Sequence, residues 1–276
     1  MITFDFDYYR PDTIEEAINV YKKITGQEKK AIYYAGGTEI VSMSRVNQLS
    51  FDSVIDIKAI PECNVIETKD DKLIIGSAVC LTRICDFGGY PLLGAVCRRI
   101  AEHTARDMIT LGGNILGKIQ YKEAILPLLL TDSKVTVAGT AGKSEKPIDR
   151  IFNEKPLLNA GELLVNIIID KKYINNPYSH SKKTKQEKID YPLVTIASVK
   201  NDDEIRIGFS GLCVYPFRLD IIFGNIDNTN PESEINNILN RVPAPIVNDI
   251  LGSAEYREFV TRNLLIDLFN YYGGMN

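Results

Sequence analysis

Histidine and paired cysteine are scarce in this sequence, and each scarcity removes a class of chemistry. Of 276 residues only two are histidine, and the five cysteines, at 63, 80, 85, 97 and 213, form no CxxC pair. A zinc or iron–sulfur site built by this chain alone is therefore not expected. An odd number of scattered thiols fits a reducing compartment better than secretion. Basic residues give no excess either, with 32 Lys and Arg against 36 Asp and Glu. Nucleic acid is thus not expected as the main partner. No apolar run approaches the roughly 18 residues of a spanning helix. The stretch Met1-Ile2-Thr3-Phe4-Asp5-Phe6-Asp7 is acidic, so no signal peptide is read there. These absences together predict a soluble, cytoplasmic protein without a membrane span. Nothing resembles a Ser-His-Asp or Cys-His arrangement, and no HxxxH or HxH spacing exists, so neither a catalytic side chain nor a metal ligand is expected.

What remains is an ordinary globular composition, 45% hydrophobic and 25% charged. The length suits one large or two modest domains. Thr13-Ile14-Glu15-Glu16 has capping-box spacing and opens a helical pattern through Ile14, Ala17, Ile18, Tyr21 and Ile24. Strands are predicted at Ala31 to Tyr34, Val54 to Ile57, Leu73 to Gly76, Val135 to Val137 and Leu163 to Ile169. Thr82 is read as the cap of a brief helix, Pro91 through Glu102 as a longer one, and Glu123 to Leu130 as helix-like. The polar stretch Lys171 to Lys188 is the best candidate boundary or exposed excursion. Beyond it, Leu193 to Val199 and Glu204 to Phe209 predict a hairpin around Asn201-Asp202-Asp203. Helices are expected from Glu232 to Leu239 and from Ser253 to Tyr271. His103 reads as a structural residue or helix C-terminal cap, Cys80 and Cys85 as packed thiols, and Tyr271-Tyr272 as a helix end or subunit contact.

Two glycine doublets stand out, Ala35-Gly36-Gly37-Thr38-Glu39 and Thr110-Leu111-Gly112-Gly113-Asn114. Glycine lets backbone N–H groups converge on an anion, because no Cβ blocks the approach and positive φ is accessible. A helix starting there adds roughly half a positive charge. Charge-assisted hydrogen bonds contribute about 1.5–3 kcal/mol each. Four or five could supply much of the roughly −12 kcal/mol of nanomolar binding, once ordering costs are subtracted. Taken singly, each doublet reads as a sharp loop without a ligand, and neither belongs to GxGxxG or GxxxxGK[ST].

In combination they resemble a family. Ala35-Gly36-Gly37-Thr38-Glu39 resembles the AGGTD/E motif of the flavoprotein subunits of molybdenum hydroxylases, the xanthine dehydrogenase and carbon monoxide dehydrogenase family. Thr110 to Ile115 resembles its TIGGNI motif, with Arg106 shortly before it. Asp190-Tyr191-Pro192-Leu193-Val194, Pro216-Phe217-Arg218 and Ser253-Ala254-Glu255-Tyr256-Arg257 resemble its D-x-P-x-V, P-x-R and SAEYR elements. The matches fall in the family's order and cover nearly the whole chain.

The resemblance implies an α+β protein. Residues 1–172 would form a vanillyl-alcohol-oxidase-like FAD-binding domain of two α/β subdomains, and 173–276 a smaller α+β C-terminal domain. It implies non-covalent FAD, with Gly36, Gly37, Thr38, Glu39 and Ile40 lining the pyrophosphate. Thr110, Gly113 and Asn114 would hold the phosphate–ribityl region. Ile100, Glu123, Leu164 and Lys182 match positions that touch the cofactor in relatives, although Lys182 by itself reads as part of a solvated loop. Partner chains would carry [2Fe–2S] clusters and molybdopterin, and the assembly could be a dimer of heterotrimers. Electrons from a substrate hydroxylated on the molybdenum chain would cross the clusters to FAD and leave to NAD or another acceptor. Xanthine or another purine leads the substrate list by family frequency, ahead of nicotinate-like heterocycles, aromatic thioesters and carbon monoxide. Two departures stand near the expected flavin, Gly117 to Glu123 in place of ASPxxD, and Gln186 in place of Arg. They bear on the flavin contacts and the electron carrier accepted, and the segment Lys118 to Lys122 supports one alternative, a scaffold or assembly subunit that has lost FAD, beside which a stand-alone flavin oxidoreductase is a second.

Overall fold

A computed structural model describes residues 2–186, 190–222 and 231–274. By packing, the chain divides into two compact units. One comprises Met1–Asp86, His103–Lys118 and Ser133–Lys171, the other Phe87–Glu102, Ile119–Asp132 and Lys172–Asn276. The second unit takes up everything from Lys172 onward. It also includes 87–102 and 119–132, whose helices pack with its strands.

The first unit opens with β1 (Asp7–Tyr9), α1 (Ile14–Thr25), β2 (Ala31–Tyr34), α2 (Thr38–Arg45) and β3 (Ser53–Asp56). The strands form a parallel sheet in the order β1-β3-β2. Parallel neighbours need a crossover, and α1 and α2 supply it. Thr13 Oγ1 accepts from the Glu16 amide at 3.1 Å, as the capping box requires, while the Glu16 carboxylate accepts from the Asp12 amide and not from Thr13. Ile14, Ala17 and Ile24 on one face of α1 pack with Ala31, Ile55 and Ile57.

The chain continues through β4 (Ile66–Lys69), β5 (Lys72–Gly76), α3 (Leu81–Phe87), α4 (Pro91–Cys97), α5 (His103–Arg106), α6 (Leu111–Leu116), α7 (Leu126–Leu130), β6 (Lys134–Gly139), β7 (Gly142–Pro147) and β8 (Leu163–Asp170). An antiparallel sheet, β4-β5-β8-β6-β7, completes the first unit. Its central β8 is apolar on both faces apart from Asn166, which is why the sequence shows a nearly continuous apolar run there. The parallel and antiparallel sheets both belong to this one compact unit.

Several local expectations change. The helix from Pro91 stops at Cys97, because Arg99 and Ile100 turn back on the carbonyls of Val96 and Cys97 and Ala101 takes φ 50°. Thr82 lies inside α3 instead of capping it, and His103 opens α5 with its ring 3.4 Å from Asp107. Glu123 to Leu130 is a 3-10 turn followed by α7.

The second unit adds β9 (Tyr178–Thr184), β10 (Pro192–Asn201), β11 (Glu204–Ser210), β12 (Phe217–Ile222), α8 (Glu232–Asn240) and α9 (Ala254–Gly273). Its antiparallel sheet runs β12-β11-β10-β9, with α4, α7 and α9 against it. The polar stretch Lys171 to Lys188 therefore contains a strand, β9, while its residues 187 and 188 lie outside the described residues. Composition concealed the strand because its pairing partner, β10, supplies the apolar burial. Of the tyrosine pair, Tyr272 is fully buried with its hydroxyl 3.0 Å from Ser198 Oγ, whereas Tyr271 is exposed.

Candidate functional site

β2 delivers the first doublet and α2 leaves it, so the turn is a strand-to-helix corner. Gly37 is the helix N-cap with φ 73°, in the left-handed region that favours glycine. A Cβ on Gly37 would run into the Tyr34 ring, and one on Gly36 would strike the Met108 carbonyl. Neither residue can be larger without moving its neighbours. Having no side chain, Gly37 offers no cap bond to α2, and the N–H groups of Thr38 and Ile40 have no intrahelical acceptor. A helix start without a side-chain cap is the kind of place that can receive an anion, through backbone N–H groups and the helix dipole.

Gly36 also brings the doublets together, since it abuts the backbone at Met108 and the Thr110 methyl. The second doublet is built differently. The Leu111 amide donates to the Val79 carbonyl at 2.9 Å, Gly112 to Ser77 at 2.8 Å, Gly113 to Thr110 Oγ1 at 3.2 Å and Asn114 to the Thr110 carbonyl at 2.9 Å. All four donors of that turn are engaged internally. Gly113 is exposed while Thr110 and Asn114 are buried, so a ligand here meets a glycine surface and not an open ring of N–H groups. The Glu39 carboxylate accepts the Lys118 amide at 2.7 and 3.0 Å, which ties α2 to the end of α6. Leu164 is buried on β8 opposite Val137.

Ile100, Glu123 and Lys182 lie in the second unit, and one side chain links them. Lys182 Nζ donates to Glu123 Oε2 at 2.8 Å and to the Arg99 carbonyl, one residue before Ile100, at 2.8 Å. Thr195, directly opposite Lys182 on β10, donates to Glu123 Oε1 at 2.6 Å. The two charged side chains are 1% and 4% exposed. Burial pushes the Glu123 carboxyl up, and Lys182 and Thr195 oppose it. Lys182 is thus a buried partner of Glu123, not a solvated loop residue. His180, two residues earlier on the same strand, is held neutral down to about 4 by burial and by the charges of Arg99 and Lys182.

Sequence reasoning missed Thr195 and His180 here, and Tyr34, Asp56 and Lys58 at the first turn. Tyr34 adjoins the doublet in sequence, but nothing in the sequence connects Lys58 to it.

The C-terminal motifs serve packing. Ser253 caps α9 by accepting the Tyr256 amide at 3.2 Å. Arg257, fully buried, donates to the Leu193 and Gly211 carbonyls and, at 2.7 Å, to Asp249. Arg218 donates to Asp132 at 2.6 Å and to the Leu129 carbonyl at 2.6 Å. SAEYR is therefore a cap followed by a clamp on the start of β10.

A parallel α/β layer with a glycine corner and an antiparallel sheet make up the first unit, and a sheet with helices against it makes up the second. Residues 4–171 match the family described as FAD binding domain in molybdopterin dehydrogenase, and the chain belongs to that family. It is 26% identical to the glyceraldehyde dehydrogenase medium chain of Sulfolobus acidocaldarius, covering 96% of this chain and 97% of that one. The nicotinate dehydrogenase FAD-subunit of Eubacterium barkeri is 22% identical over 76% of this chain and 72% of its own length. Quinoline 2-oxidoreductase from Pseudomonas putida 86 shares the fold, with a TM-score of 0.85 and 19% identity over the whole of both chains. Among the described residues no helix is long and apolar enough to cross a membrane.

Proposed function

We propose that this chain is the FAD-binding electron-transfer subunit of a cytoplasmic, multi-subunit molybdenum hydroxylase. The observation that carries the proposal is the first glycine corner, whose shape a Cβ would destroy and whose helix start carries no side-chain cap. Gly36, Gly37, Thr38 and Ile40 would hold the pyrophosphate, with Glu39 fastening the turn through Lys118. Thr110, Gly113 and Asn114 would line the adjoining part of the cofactor. In the remaining assignments Leu164 belongs to the first unit, and Ile100, Glu123 and Lys182 to the second. Residues 1–172 serve as the FAD domain on this reading, and 173–276 as the C-terminal domain. Bound FAD supplies exchange between single-electron carriers and a two-electron acceptor such as NAD. The chain's own part is to bind and orient the cofactor and to exclude water from it.

Iron–sulfur and molybdopterin-binding chains are the proposed partners, in a dimer of heterotrimers. The substrate is met on a partner chain. A xanthine dehydrogenase-like holoenzyme is one proposal, and the names of the relatives add aldehydes and nicotinate-like heterocycles to it. The closed N–H groups at the second doublet favour one rival, a scaffold of the same fold without FAD. Flavin absorbance of the purified chain separates them, because a colourless protein that takes up no added FAD would sink the cofactor assignment. Gly113→Val, at an exposed position, is expected to abolish FAD retention. Wild-type occupancy in that variant would remove the second doublet from the site.

A further inference from the structure

Lys58 stands just after β3, in a segment that no motif singles out, yet its ammonium reaches the first glycine corner. Nζ donates to the carbonyl of Ala35, the residue preceding the doublet, at 2.9 Å and to Asp56 Oδ2 at 2.7 Å. It also lies 4.6 Å from the centroid of the Tyr34 ring, the same ring that packs against Gly37. Asp56 is buried and pairs with Tyr34 across the parallel β2–β3 ladder. Besides the Lys58 ammonium, it accepts from the Tyr8 hydroxyl at 2.5 Å and from the Lys58 amide at 3.0 Å. Burial alone would raise the Asp56 carboxyl, but Lys58 and Tyr8 hold it below the usual carboxylate range. An ammonium has three donors, and two are engaged here. The side chain remains 42% exposed. A cation is thus fixed in direction at the mouth of the turn, with one donor to spare.

We infer that Lys58 is a phosphate-binding residue of the cofactor site, directing its third N–H to the diphosphate held at Gly36-Gly37, with Asp56 and Tyr8 as its positioning residues. This rests on the proposed FAD function. The alternative for such a pair is a surface ion pair that only fastens β3 to the turn. The two differ in ligand selectivity. A phosphate ligand matters for FAD and ADP and not for riboflavin, which has no phosphate.

The test uses the purified full chain freed of flavin, titrated with FAD, ADP and riboflavin by fluorescence and calorimetry. Lys58→Met is expected to weaken FAD and ADP binding about tenfold, the lower range for a charge-assisted hydrogen bond at a partly exposed site. Riboflavin binding is expected to stay unchanged. Lys58→Arg is expected to recover most of the loss and to retain the salt dependence that Lys58→Met flattens. Lys143→Met, which removes an exposed lysine paired with Glu62, serves as the control for net charge. Unchanged FAD and ADP affinity in Lys58→Met overturns the inference. So does an equal loss for riboflavin, which marks a merely structural role. A wild-type chain that binds none of the three ligands refutes the FAD reading itself, a result distinct from either.

Discussion

Glu123 and Lys182 are far apart in sequence and are joined by a hydrogen-bonded ion pair with almost no solvent contact. Breaking one side of such a pair leaves a buried charge, which costs about 3–5 kcal/mol, whereas replacing both sides is often neutral. Lys182→Met is therefore expected to lower the urea midpoint strongly. Adding Glu123→Leu to it should recover most of the loss. A double variant as unstable as the single one would show that Thr195 and the Arg99 carbonyl, and not the pair, set the cost. The glycines teach a different lesson at this scale. Gly36 and Gly113 look alike in sequence, but one abuts a backbone carbonyl and the other the Thr110 hydroxyl that already accepts its N–H. Sequence reports that a Cβ is missing, and only the neighbours reveal why.

Helix α9 shows how a short motif organises an element. Ser253 closes the helix start, and one turn later Arg257 reaches back to the carbonyls where β10 begins and where Gly211 follows β11. Asp249 balances its charge, and Arg257 holds that carboxyl below the usual range against the effect of burial. Removing the cap by Ser253→Ala is expected to cost about 1 kcal/mol. Arg257→Leu strands buried acceptors and is expected to cost about 3 kcal/mol or more. Thermal unfolding of the two variants checks the order, and equal losses would contradict the clamp. Elements with strong periodicity, such as α1, β8 and the β10–β11 hairpin, were legible in the sequence because their own side chains carry the burial. β9 was not, since Ser, His and Lys on it are covered by what its neighbours bring. The end of α4 was equally hidden, because a left-handed Ala101 carries no signature in the sequence.

At the scale of the whole molecule, the chain holds no cysteine pair for clusters, so the proposed electron path requires other chains. Native purification from the source cell is expected to bring iron–sulfur and molybdenum-containing chains along with this one. The isolated chain should bind FAD and hydroxylate nothing. An isolated chain that oxidises an aldehyde or a heterocycle would overturn the partner assignment.

The order of motifs along the sequence was enough to determine the family and the α+β class, because each motif answers a local demand. A strand must turn into a helix without a Cβ, and a helix must be capped. Tertiary structure alone decided what abuts each doublet, where Lys182 and Glu123 meet, and that Lys58 faces the first turn. Those outcomes depend on which distant carbonyl, hydroxyl or carboxylate arrives within about 3 Å, the reach of a hydrogen bond. Spacing along one chain does not encode that distance.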